Sequence, residues 1–254
     1  METLIMLFCS LLPAALLVAF VIYRDRQHPE PAGKIAKGLF FGILTAIVVL
    51  ILGSVFEVIP YLTGFGWFYS VPFLRGMATA FFNAAIPEES VKLLFLWLLL
   101  RKNAEFNENM DGIVYAVCIG MGFAGLENIL YVFNTEESPW QITALVRCLF
   151  AVPGHYIFAV LMGTLYSLVH FQPLRFGRYK ALVWIVPVMA HGIYDTICFV
   201  GNEHPILAIL TYIPLIWFCI VMHKRCLRLI TTISTIDEDR QDKRRFMDAM
   251  RHDA

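Results

Sequence analysis

Two adjacent glutamates, Glu88 and Glu89, are followed by Lys92, and further along the chain come Glu127, His155, His191 and Asp195. Carboxylates and imidazoles are side chains that move protons near neutral pH, and crowding two carboxylates together raises the pKa of one toward the value a general base needs. The spacing adds pairings. Glu88 and Lys92 stand four apart, so on a helix they share a face and form an ion pair with the acid N-terminal to the base. Glu89 is turned about 100° away and is left for another partner. His191 and Asp195 are also four apart, as are Glu127 and Tyr131, so one member of each pair can orient the other. Lys92 and Arg147 read as counter-ions to the carboxylates, with Asn128 and Tyr131 as supporting hydrogen-bond donors. Any one of these residues alone would serve as an interhelical hydrogen-bonding group; as a set they can activate a water and stabilise the charge that develops as it attacks a carbonyl.

The setting makes the set conspicuous. The chain is 59% hydrophobic and 16% charged, with a mean hydropathy of +0.67, which is the composition of a membrane protein. A bilayer core takes roughly 20 apolar residues per helix, and such stretches recur at Leu4–Tyr23, Ala36–Ile59, Phe73–Leu100, Gly112–Phe133, Thr143–Val169, Ala181–Val200 and Ile206–Met222. They predict an all-α polytopic transmembrane helical bundle of about seven spans. An ionisable side chain at the centre of such a helix costs about 2.5–3.5 kcal/mol, so the buried acids and bases call for a shared purpose. Glu88, His155 and His191 fall near mid-bilayer, and Glu127 and Asp195 lie about 7 Å toward the outside at a rise of about 1.5 Å per residue. Pro87, Pro153 and Pro187 precede three of these positions, and Gly120, Gly122 and Gly125 lead up to Glu127. Helices bent by proline and brought close by glycine can enclose a polar cavity within protein.

Orientation follows from Lys and Arg, seventeen of which lie on alternate connections and the tail: four near residues 24–37, two at 101–102, three at 175–180 and eight after Met222. The connections between these, Pro60–Pro72, Asn134–Ile142 and Gly201–Pro205, carry none. The bias places the N-terminus outside and the C-terminus in the cytoplasm. Residues 1–222 form the expected transmembrane domain and 223–254 a charged cytoplasmic tail, whose run at 237–245 reads as solvated helix or coil. The first span lacks a positive leader and a cleavage motif, so it is expected to stay as an anchor. Glu57 reads as interfacial, and the six cysteines as small buried residues. A formal net charge of zero gives no footing for nucleic-acid binding.

Four motifs in order carry a family resemblance. Glu88-Glu89-Ser90-Val91-Lys92 fits Glu-Glu-x-x-Lys, and Phe123 to Tyr131 fits Phe-x-x-x-Glu-Asn-x-x-Tyr. Arg147 and His155 fit Arg-x7-His, and His191 with Asp195 fits His-x-x-x-Asp; His28-Pro-Glu-Pro31 matches a Glu-Pro-rich start. Over about residues 20–200 the chain resembles the PrsW family of intramembrane proteases, relatives of the CAAX prenyl-endopeptidases. The resemblance implies hydrolysis of a peptide bond in a membrane-anchored protein, an anti-sigma factor in the best-known case, near the outer face of a bacterial cytoplasmic membrane. Against the CAAX relatives the chain has Glu127 where they have histidine and Asp195 where they have asparagine.

Two mechanisms remain open. In the metal-free one Glu88 or Glu89 is the base for water, His155 and His191 stabilise the oxyanion or pass the proton on, and Asp195 orients His191. In the other, Glu89, His155 and His191 hold zinc and another glutamate is the base. The metal-free version is slightly favoured, since a glutamate pair works without an ion. A proton- or cation-coupled transporter would show a similar carboxylate and histidine relay, although it would also predict inverted repeats, which the sequence does not show.

Overall fold

A computed structural model describes residues 1–62, 64, 67, 70–136, 138–202 and 205–252, leaving aside the side chains of 54–57, 59–61, 72, 202, 205–210, 244–249 and 251–252. Apolar runs of this length become helices because in a bilayer each backbone N–H and C=O must be satisfied within its own segment. Among the described residues the elements are α1 (Glu2–Arg24), α2 (Ala32–Leu62), α3 (Pro72–Ala78), α4 (Ile86–Leu100), α5 (Asn109–Phe133), α6 (Trp140–Val146), α7 (Val152–Phe171), α8 (Pro173–Phe176), α9 (Leu182–Asn202) and α10 (Pro205–His252). The chain is all-helical among the described residues. Among the described residues five segments are long and apolar enough to cross a membrane: Glu2–Arg24, Ala32–Gly53, Asn109–Phe133, Trp140–Phe171 and Leu182–Gly201. The expected span Phe73–Leu100 is helical but is broken into α3, a π-helical stretch and α4. The expected span Ile206–Met222 is the first part of α10. The side chain of Glu57 and parts of the connections 60–72 and 201–205 lie outside what is described.

α5 is the central helix. Every residue from Asn109 to Gly125 is buried, which fits a helix that is apolar all round. α1, α2 and α7 pack around it, and its glycines admit all three. A Cβ on Gly122 would strike the Leu39 carbonyl of α2, and one on Gly42 would strike the backbone of α5 at Ile119. A Cβ on Gly120 would stand 2.9 Å from the Ala159 Cβ of α7, and one on Gly125 would stand 3.3 Å from Leu11 of α1.

Two π-helical stretches, Thr79–Ala85 between α3 and α4 and Arg147–Ala151 between α6 and α7, lie just before Pro87 and Pro153. A proline has no N–H for the carbonyl four residues back, here Asn83 and Leu149, and a widened turn accommodates the break. The same widening resets the face on which Glu88 and His155 emerge.

α10 runs without interruption into the charged tail. Cys226, Ile230 and Ile233 are buried, and Asp237 caps the start of α5, accepting hydrogen bonds from the Met110 N–H at 2.9 Å and the Asn109 side chain at 2.5 Å. The Gln241 side chain donates to Glu108 at 2.7 Å. The reading of 237–245 as simply solvated is therefore corrected at Asp237, which is 4% exposed: a helix N-terminus offers free N–H groups and positive potential to a carboxylate.

Beside this dock lie Asp25, Glu30 and Asp111, with the Tyr115 hydroxyl donating to Glu30. Burial, then the charges of Asp111 and Glu108, push the Asp25 carboxyl up to about 8, and burial with Asp111 and Asp237 pushes Glu108 up to about 7. A carboxyl whose folded pKa is raised stabilises the fold while protonated. The Asp25 contribution is therefore full below about pH 4 and lost as pH rises through about 8. Asp25→Asn should flatten the fall in stability between pH 5 and 9 and stabilise the protein at pH 8.5 by at least about 1.4 kcal/mol, the equivalent of one pKa unit. Detergent melting curves across that range test this, and a variant less stable than wild type at pH 8.5 would refute it.

Candidate active site

The residues singled out from the sequence come together at one place. Glu88 and Glu89 lie in the first turn of α4, directly after Pro87, and Lys92 follows one turn later. The Lys92 ammonium donates to Glu88 Oε2 at 3.1 Å and to Glu89 Oε1 at 2.8 Å. The second contact corrects the expectation that Glu89 is free of Lys92: positions three apart are also helix neighbours, and the four-carbon stem reaches both. Glu89 still finds a second partner, His191 Nδ1 at 3.0 Å. The other face of His191 meets Asp195 Oδ2 at 3.2 Å. With a carboxylate oxygen on each ring nitrogen, this imidazole carries both protons unless one of the carboxyls is itself protonated.

His155 sits differently. Its Nδ1 lies 3.3 Å from the Lys92 ammonium, which can only donate, so Nδ1 accepts and Nε2–H donates to Glu127 Oε2 at 2.9 Å. Arg147 donates to the same Glu127 oxygen at 2.5 Å and to Asn128 Oδ1 at 2.7 Å. The Asn128 amide in turn donates to the Ser10 carbonyl at 2.8 Å, which ties the site to α1. Tyr131 meets Arg147 through its ring, 4.0 Å from the guanidinium carbon.

Two aromatic side chains complete the walls: Phe123, the first residue of the motif that runs to Tyr131, and Phe158, which the sequence did not single out. Phe158 stacks on His191 at 4.7 Å with an interplanar angle of 19°, and the Phe123 ring lies 4.0 Å from the Lys92 ammonium. Within an apolar helix an aromatic residue has no sequence contrast, so only the three-dimensional arrangement reveals Phe158.

Electrostatically the cluster is short of positive charge. Four carboxylates (Glu88, Glu89, Glu127, Asp195) face two permanent cations (Lys92, Arg147), so with both imidazoles neutral the group carries a formal −2. Burying such a deficit is costly unless protons or a cation meet it. Glu88, Glu89, His155 and His191 each offer one ligand atom, all within 4.8 Å of one another. Glu89 Oε2 is buried without a hydrogen-bond partner among the described residues. Two imidazoles with carboxylate suit zinc, so the donor set fits that ion, although Lys92 already shares Glu89 and His155.

Two cavities meet at the cluster. One, of about 360 Å³, lies between the α6–α7 segment, α9 and α10. The other, of about 1020 Å³, lies between α2, the π-helical stretch at 79–85 and α5. Glu88 and Glu127 line both, whereas Glu89 is wholly buried.

The sequence profile described as PrsW family intramembrane metalloprotease matches residues 30–222. The chain belongs to the PrsW family. It is similar to Protease PrsW of Clostridioides difficile (strain 630), 25% identical and covering 82% of this chain and 85% of the relative. Protease PrsW of Geobacillus kaustophilus (strain HTA426) is 30% identical, over 72% and 75% of the two chains, and that of Bacillus subtilis (strain 168) is 30% identical, over 73% and 78%. No solved structure matches. The PrsW profile spans α2 to α9 and the first part of α10, and with them every acid and base of the cluster. This PrsW-family chain is a multi-pass membrane protein of a family of intramembrane proteases.

Proposed function

We propose that this chain hydrolyses a peptide bond of a membrane-anchored protein, of the anti-sigma-factor kind, at or just outside the outer end of the substrate's transmembrane helix. The observation that carries the reading is the exposure of Glu88 to both cavities, backed by a buried network of the other acids and bases. Glu88 takes a proton from water as the water oxygen attacks the carbonyl carbon, then returns it to the leaving nitrogen as the C–N bond breaks. His191, held through its two ring nitrogens by Glu89 and Asp195, stabilises the developing oxyanion through the positive charge of its ring. Glu127, held by Arg147 and His155, fixes the second wall. Family membership favours this over the transporter reading.

The charge deficit and the metalloprotease description of the family favour a second form. Glu89, His155 and His191 would hold a zinc ion, which supplies Lewis-acid polarisation beside the attacking water. Glu88 remains the base in both forms. Metal analysis of purified active enzyme, before and after chelation, separates them: zinc at one per chain with loss of activity on its removal selects the second.

In membrane terms the proposal has seven spans, counting residues 72–100 and the start of α10, with the N-terminus outside and the C-terminus in the cytoplasm of a bacterium. Residues 1–222 then form the protease domain and 223–254 a cytoplasmic extension of α10. Cysteines placed at Thr135 should be labelled from outside and those at Lys102 or Arg178 should not; the reverse pattern would overturn this orientation. The cut follows from depth, because a peptide bond in an intact helix is shielded and unwinding costs least where water can take up the freed backbone groups. Mass spectrometry of the new termini should place it in the outer part of the substrate, and consistent cleavage in the cytoplasmic third would refute the assignment.

A further inference from the structure

The smaller of the two cavities is more than a hydrolytic water needs. A single water occupies a few tens of cubic ångströms, yet this chamber has about 360 Å³ in a protein interior that otherwise packs closely. Beyond the catalytic cluster its walls include Val146, Phe150, Ala151, Ile197, Cys198 and Leu215. Among the described residues, every charged side chain lining it, namely Glu88, Glu127, Arg147 and Asp195, belongs to the cluster already described. Away from the cluster the lining is mainly apolar, with Thr143, Tyr194 and Tyr212 among it, and this is the arrangement of a site that recognises an apolar group and acts on the atoms beside it.

Its relation to the larger cleft gives the direction. Glu88 and Glu127 wall both spaces together with Ala84, Tyr131, Ser138, Thr143 and Phe199, so a polypeptide passing from the cleft toward the chamber runs beside the two carboxylates. The cleft is lined by Ala46, Val49 and Leu50 of α2 and by Phe123 and Leu130 of α5, surfaces suited to an apolar substrate segment.

We propose that the chamber is a specificity pocket that takes one bulky apolar side chain, of the Leu, Ile, Met or Phe class, from a residue flanking the scissile bond. This rests on the proteolytic reading of the site. The substrate backbone lies across Glu88 and Glu127, the flanking side chain enters between Ala151 and Leu215, and the adjoining substrate segment occupies the cleft by α2. An acidic side chain at that position meets apolar walls at one end and Glu88, Glu127 and Asp195 at the other, and is rejected.

The test uses the full-length enzyme in detergent or proteoliposomes with a membrane-anchored substrate whose cut has been mapped. Each residue flanking the cut is varied through Gly, Ala, Leu, Phe and Asp. One flanking position should prefer Leu or Phe over Ala by about 10-fold or more in kcat/KM, with Asp poorest. Ala151→Leu, which fills the chamber, should reverse the order so that Ala is cleaved better than Phe. Leu215→Ala, which widens it, should shift the optimum to Phe, and carries the test alone if Ala151→Leu does not fold. The readout is the ranking of substrates, which a general loss of stability does not reorder. Equal cleavage of all side chains by the wild type, or a wild-type ranking in the folded variants, overturns the pocket while leaving proteolysis intact. A wild-type enzyme that cleaves no membrane-anchored substrate removes the proteolytic reading and the pocket with it.

Discussion

Glu88→Gln is expected to lower cleavage of a membrane-anchored substrate by at least about 100-fold, and by as much as about 10,000-fold, the range for losing a positioned base. Glutamine keeps the shape of the side chain and can still accept from Lys92, so melting in detergent should stay close to wild type. Glu89→Gln should differ. Glu89 is wholly buried and bonded to both Lys92 and His191, so its substitution should lower activity and stability together. In the zinc-bound form it should also lower metal content, which Glu88→Gln should leave largely intact. The contrast separates a residue that meets the substrate from one that holds its neighbours. Full activity in Glu88→Gln would show that hydrolysis happens elsewhere; a loss matched by equal unfolding would reduce Glu88 to a structural role.

Lys92→Met should be the most damaging single substitution for the fold. The ammonium is 4% exposed and satisfies Glu88, Glu89 and His155 at once. Removing one partner of a buried pair costs about 3–5 kcal/mol because the remaining charge is left uncompensated. Here two carboxylates lose their counter-ion, so the variant should accumulate poorly and melt early. Methionine fills much of the volume of the lysine stem, so lost packing is a minor part of the effect. Pairing it with Glu89→Gln removes one stranded charge and should recover a substantial part of the stability, without recovering activity. A Lys92→Met protein as stable as wild type, or a double variant no better than the single, would contradict the ion-pair geometry.

Much of the site was legible because charge in an apolar span stands out. Glu88, Glu127, His155, His191 and Asp195 were recognisable from insertion cost, and their helical spacing paired Glu88 with Lys92 and His191 with Asp195 correctly. Spacing fixes the direction of a Cβ and says less about where a flexible head group ends, which is why the Lys92–Glu89 contact was missed. Phe158 was invisible for the opposite reason, being apolar among apolar residues, and Phe123 stood out only as the start of a motif. The break at 79–85 was only half legible: Pro87 announced a disturbance, but whether a helix answers with a kink or a widened turn depends on its neighbours. At the tail, the mixed charges of 237–245 gave no hint that Asp237 alone turns inward, because its partners are backbone and amide groups more than a hundred residues away in sequence.

The interruption of residues 72–100 also bears on how the protein is made. A segment that is not a single apolar helix, and that carries Glu88, Glu89 and Lys92 at about 2.5–3.5 kcal/mol each, is a poor candidate to enter a bilayer alone. Its partners outside the segment lie later in the chain: His155 on α7, beside Lys92, and His191 on α9, beside Glu89. At roughly 5–20 residues per second, synthesis reaches His191 about 5–20 s after Lys92. During that interval the third segment must linger at the insertion machinery or the interface, and the last helices to emerge draw it into place. The cluster of acids and bases is consequently incomplete in any nascent fragment that ends before α9.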